Sequence, residues 1–109
     1  MKIKNILVSA LVILGFTSFS GIANAACGKL VIAEQNWASA ELMANVDKII
    51  LEKGYGCEVE LVAGATMPTF TSMNEKGMPD IAPELWSNAV QGPLSKAKDE
   101  KRLFVANPG

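Results

Sequence analysis

Asp80-Ile81-Ala82-Pro83-Glu84-Leu85-Trp86 is the stretch on which the reading of this fold turns. Asp80 to Ala82 reads as a short buried strand. Pro83 carries no backbone N–H and stops the ladder. Glu84 and Trp86 then fall just past the strand's carboxyl end. In an open α/β sheet that is where ligands bind, at the point where strand order reverses. An earlier apolar run, Leu30 to Glu34, reads as another strand, and Trp37 occupies the matching place after it. Two indoles beyond two strand ends point to an aromatic box for a cation. Each also has a packing reading: Trp86 as core, and Trp37 as an anchor of its loop against the next helix.

Working outward, Leu30-Val31-Ile32-Ala33 is continuously apolar, as expected of a strand buried on both faces. Ser39 is a suitable N-cap for a helix, and Glu41 suits the positive end of that helix. Leu42, Val46, Ile49 and Ile50 recur at helical spacing, and Gly54 is expected to end the helix. Cys57 to Val62 is the next strand. Its alternation, Glu58-Val59-Glu60-Leu61, predicts an edge position with one wet face. A strand, a helix and a second strand make a right-handed βαβ crossover. Thr66 can cap a second helix, Met67 to Lys76, with Pro68 in its first turn. Met67, Phe70 and Met73 are read as its inner face, as core rather than as a ligand site. With the strand at Asp80 on the far side of the first, the sheet is expected to be mainly parallel with order 2-1-3. A third helix is expected from Ser87, interrupted at Gly92-Pro93. Lys96 to Arg102 reads as a solvated charged face, and Leu103 to Ala106 as a candidate fourth strand.

The chain has 109 residues, room for one small domain. Residues 1–25 read as a cleaved signal peptide. Lys2 and Lys4 form a positive start, Ile6 to Phe16 is an apolar run, and Ala23-Asn24-Ala25 fits the small-x-small cleavage rule. A membrane anchor is the alternative, for which the apolar run is short. Cys27 also raises a lipidated cysteine, which Asn24 fits poorly. Residues 26–109 then form the mature part, exported and expected in the periplasm. Without Lys2 and Lys4 it keeps eight bases against eleven acids, a net charge of −3.

No basic patch is present, so nucleic acid is not an expected partner. The chain has no histidine, which excludes His-based triads and His-rich metal sites; neither a metal nor a cofactor is expected. No Gly-x-Gly-x-x-Gly, Gly-x-Ser-x-Gly or Walker pattern occurs, so an enzyme on a doubly wound fold is the weaker reading. An oxidising compartment favours a Cys27–Cys57 disulfide, and both cysteines precede predicted parallel strands; two free buried thiols are the alternative. Glu34, Asn36 and Glu84 are further ligand-site candidates. A carboxylate there can balance a cation or accept from a ligand hydroxyl, or bond to its own loop.

Several segments together resemble a known family. They are Gly28 to Glu34, Asn36-Trp37, Ile49 to Val59 with its Leu51-Glu52-Lys53-Gly54-Tyr55 turn, and Pro79 to Trp86. They are similar to the glycine betaine/choline class of periplasmic substrate-binding proteins of ABC transporters. The resemblance covers nearly all of the mature part. It implies a two-lobed, hinged, non-catalytic protein that closes on a quaternary ammonium ligand and delivers it to a membrane permease. By the resemblance, residues 26–109 are the N-terminal part of the first lobe, in a chain that reads as truncated, and the protein is expected to be a monomer. The family's cage tryptophan after the third strand corresponds to Trp86. The tryptophan that choline-type members carry after the first strand corresponds to Trp37. The pattern departs at Ser39, where choline-type members place an acid. A ligand-binding sensory domain on the same fold is the alternative.

Overall fold

The computed structural model describes residues 27–106. The signal peptide expected over residues 1–25 lies outside them. In chain order the elements are β1 (Lys29–Gln35), α1 (Ala38–Tyr55), β2 (Glu58–Gly64), α2 (Thr66–Lys76), a 3₁₀ turn (Ser87–Val90) and α3 (Gln91–Asp99). This is a mixed α/β arrangement, as expected for part of a lobe. Among the described residues, no helix is long and apolar enough to cross a membrane.

β1 and β2 pair in parallel, with Ile32 opposite Leu61 and Gln35 opposite Gly64. Among the described residues the sheet proper has these two strands, and the expected three-stranded order 2-1-3 is not confirmed. Asp80 to Ala82 is not a strand; Ile81 makes a single parallel bridge to Ile32. Two prolines explain the shortfall. Pro79 and Pro83 bracket the segment, and neither can donate to a ladder. The Asp80 carboxylate completes it instead. Val31 N–H donates to Asp80 Oδ2 at 2.7 Å, where the carbonyl of residue 79 would accept in a regular parallel ladder. Val31 and Ala33 bond to residues 80 and 81, whereas Gly28 accepts from Glu58. Alternate residues of a strand address opposite edges, so Ile81 lies against the edge of β1 away from β2.

The core is one apolar cluster around Ile32, with Ala44, Cys57 and Val59 buried beside it and Leu30, Leu51, Leu61 and Ile81 packed against it. α1 meets this cluster through small residues. Ala40 and Ala44 are fully buried, while Leu42, Val46, Ile49 and Ile50, the apolar residues read at helical spacing, are 65%, 42%, 58% and 52% exposed. Both sets recur at helical spacing but lie about half a turn apart. Alanines allow the helix axis to come close to the sheet, and the larger side chains are carried on the outer side. An apolar stripe of this size marks a surface suited to cover by another element.

The helix ends also depart from expectation. α1 runs through Gly54 and stops at Gly56, whose φ of 69° is a left-handed C-cap; the Cys57 N–H closes the turn on the Leu51 carbonyl. The α1 N-cap is Trp37, whose indole N–H cannot accept a cap bond, while Ser39 lies inside the first turn and donates to Glu84. α2 starts at Thr66 with Ala65 as N-cap, and Thr69 Oγ1 accepts the Ala65 N–H at 3.1 Å. Phe70 is buried in α2, but Met67 is 51% exposed. Gly92-Pro93 does not break a helix; it falls in the first turn of α3, where a missing N–H costs nothing. Residues 103–105 form no strand, and Phe104 is 88% exposed.

Cys27 and Cys57 are joined by a disulfide, with their Cα atoms 4.7 Å apart. It ties together the residues preceding β1 and β2. Nearby, Lys29 pairs with Glu60 across the strands at 3.0 Å. The hydrogen bond to Glu60, helped by the charges of Glu60 and Glu58, holds the Lys29 amine above its ordinary pKa. The pair is solvent-exposed and contributes to register more than to stability.

Gly64 ends β2 in a crowded place. A Cβ there would stand 2.7 Å from Thr69 Oγ1, 3.2 Å from Gln35 Oε1 and 3.3 Å from the Ala33 Cβ. Gly64→Ala therefore displaces the hydroxyl that closes the α2 N-terminus. The expected cost is about 1–3 kcal/mol, read as a lower urea midpoint with an unchanged slope. An unchanged midpoint would show that Thr69 swings away freely.

Candidate ligand site

The two loops that leave the carboxyl side of the sheet bring the tryptophans together. Trp37 lies two residues beyond the end of β1, in extended backbone, and Trp86 follows the Ile81 bridge by five residues. Their ring centres are 5.6 Å apart and their planes tilted by 53°. Trp37 is half-buried, and Trp86 is 62% exposed. A tilted pair at this spacing forms an open V. A methylated ammonium resting in it can lie within about 6 Å of both ring centres, the range of cation–π attraction. Water competes weakly for such a cation, because a quaternary ammonium has no N–H to donate.

The other site residues expected from the sequence divide in space. Glu84 joins the pair's surroundings: Ser39 Oγ donates to Glu84 Oε1 at 2.9 Å, linking the residue two beyond Trp37 with the residue two before Trp86. Glu84 has a φ of 53°, the left-handed region that non-glycine residues seldom occupy. Its second oxygen, Oε2, and the indole nitrogen of Trp37 are both buried with no protein partner. Asn36 is exposed on the same loop as Trp37. Glu34 points to α1 instead, where its Oε1 accepts from Asn45 Nδ2 at 2.8 Å.

Three residues that the sequence did not mark as part of a site matter here. Ser39 holds Glu84, and Asp80 anchors its loop to β1 through the Val31 N–H. Gln35 is fully buried, and neither of its side-chain polar atoms has a partner. A lone amide at the end of an apolar strand is the visible signal for Gln35. Nothing local marks this role for Ser39, because its partner is 45 residues away.

Two open grooves, of about 410 and 580 Å³, lie on the other face of the sheet, along Val62, Ser72 and Pro79. Neither is lined by a tryptophan. Neither therefore offers an aromatic face to a cation, and the tryptophan pair is the better candidate for one. Among the described residues, no cluster of three or more acidic or cysteine side chains is placed to hold a metal ion.

The family model for the substrate binding domain of an ABC-type glycine betaine transport system matches residues 28–108. The chain belongs to this family. No curated protein matches it. As a member of the substrate-binding family, it has an ABC-type substrate-binding role rather than a catalytic one, with a small-molecule ligand and a permease as partners. The matched stretch contains both tryptophan loops and, among the described residues of this substrate-binding family member, β1, β2 and the helices α1 to α3.

Proposed function

We propose that this protein captures a quaternary ammonium osmolyte of the glycine betaine or choline type in the periplasm, for uptake by an ABC permease. The observation that carries the reading is the Trp37–Trp86 pair, two tilted rings at the carboxyl side of the sheet with one ring open to solvent. Family membership supports the transport role. The electron-rich faces of the rings support a methylated ammonium as the bound group.

In this reading Trp37 and Trp86 hold the ammonium, Glu84 balances its charge, and exposed Asn36 supplies a polar contact at the rim. Glu34, engaged by Asn45, serves the site by tying the middle of α1 to the end of β1. Residues 1–25 act as an export signal, and residues 26–109 supply part of the first lobe of a monomeric binding protein. The absence of histidine and of any nucleophile–base pattern supports binding without catalysis.

The test is a tryptophan fluorescence titration with methylated amines, amino acids and sugars. A methylated amine is expected to give a saturable change. Each ring contributes about 0.5–2 kcal/mol, so Trp86→Ala or Trp37→Ala should each weaken binding by about 2- to 30-fold. A saturable response to an amino acid or a sugar, with none to methylated amines, overturns the reading.

A further inference from the structure

Glu84 is unusual in three respects that meet at one place. Its backbone is held in the left-handed region, a conformation that persists only where neighbouring contacts over-determine it. Ser39 occupies one carboxylate oxygen, and the other is buried with no protein partner. Among the described residues, none of the ion pairs involves Glu84, so no lysine or arginine neutralises it. A buried carboxylate oxygen with neither a donor nor a counter-charge is costly. Something else must supply positive charge or a donor when the site is filled.

We infer that Glu84, oriented by Ser39, is the residue that sets ligand specificity, selecting a quaternary ammonium cation that lacks a carboxylate over a zwitterion that has one. This rests on the proposed quaternary ammonium site. Glu84 sits two residues from Trp86 and is bonded to the residue two beyond Trp37, so a cation seated on the rings has this carboxylate as a neighbour. The ammonium charge is attracted to it. A ligand carboxylate a few bonds from the ammonium is repelled by it and offers no donor to Oε2. A ligand hydroxyl offers that donor. Trp37 Nε1, also buried and unpaired, can give its proton to the same hydroxyl oxygen, so a neutral hydroxyl answers both vacant groups. Ser39 is the positioning residue: its donation to Oε1 leaves Oε2 as the oxygen free to take a ligand donor.

Each of the two tryptophans in the chain gives its own indole N–H resonance, so even weak binding can be followed by NMR on the full chain. The probes are tetramethylammonium, choline and glycine betaine. Choline is expected to bind about tenfold more tightly than glycine betaine, the size of one like-charge interaction in a partly screened site. Tetramethylammonium should fall between them and so separate the effect of charge from that of the hydroxyl. Glu84→Gln should lower the choline-to-betaine ratio several-fold, leaving the part that the hydroxyl supplies. Ser39→Ala, which keeps the acid and frees its Oε1, should lower the ratio less while the spectrum keeps its folded dispersion. Equal or tighter betaine binding by the unmodified chain overturns the inference, as does an unchanged ratio in a folded Glu84→Gln. If none of the three compounds shifts either indole at millimolar concentration, the quaternary ammonium reading itself falls.

Discussion

Ile32→Ala is expected to unfold this protein under conditions where the parent chain is folded. Ile32 is fully buried at the centre of the core cluster and is the residue of β1 that pairs with both Leu61 and Ile81. Truncating it removes contacts to β2, to α1 and to the loop that carries Trp86. Large-to-small substitutions at such sites cost about 2–5 kcal/mol. A small domain commonly has a total stability near the low end of about 5–15 kcal/mol. The substitution therefore consumes most of the margin. The contrast is Leu42→Ala on the outer side of α1, where 65% of the residue is already exposed and the change should stay within about 0.5 kcal/mol. Urea melts followed by circular dichroism measure both. If Leu42→Ala proves the more damaging, α1 packs through its large apolar stripe rather than through its alanines.

The second large effect is expected on reducing the Cys27–Cys57 disulfide. The bridge closes a loop over a separation of 30 residues, which contains β1 and all of α1. In the chain-entropy account, a loop of this length restricts the unfolded ensemble by about 3–4 kcal/mol. Cys57 is also a member of the apolar core, so its substitution combines loss of the bridge with a packing change. Cys27 is exposed, and Cys27→Ser isolates the bridge more cleanly. The oxidised protein should lose a comparable amount of stability on reduction and in Cys27→Ser. Equal urea midpoints for the oxidised and reduced forms would falsify the entropic account, by showing that the unfolded chain already keeps these ends together.

Both effects bear on the ligand site through the same element. β1 places Trp37 at its carboxyl end, and its edge receives Ile81, which starts the loop leading to Trp86. A lost core contact at Ile32 therefore reaches both rings. The spacing of the tryptophans depends on β1 being held straight between α1, β2 and the Asp80 loop.

Parts of this arrangement are legible in the sequence, and the rest is hidden for identifiable reasons. The βαβ unit is readable because Leu30 to Ala33 is a continuous apolar run and the following segment changes to a helical period. The place of the two tryptophans is readable because residues beyond a parallel strand's carboxyl end share one side of the sheet. The buried face of α1 is not. Periodicity reports that a stripe exists, and α1 has two of them, one of alanines and one of large apolar residues. The hydrophobic scale favours the larger side chains, while close helix–sheet packing favours the smaller. The third strand misleads for a related reason: Asp80-Ile81-Ala82 has strand composition, but prolines on both sides leave it only one bridge.

By itself, the sequence determined the α/β class, the parallel crossover, and the two indoles available to meet a cation. These follow from local chemistry: apolar runs, glycine and proline positions, and residue types at strand ends. Only the tertiary structure decided that the indoles stand 5.6 Å apart, that Ser39 serves Glu84 rather than its own helix, and that Asp80 supplies the acceptor a third strand would have given. Each of these joins residues 45 to 49 positions apart in the chain, beyond the reach of any local pattern. What brings them together is the burial of Ile32 and the edge of β1 that its strand leaves open.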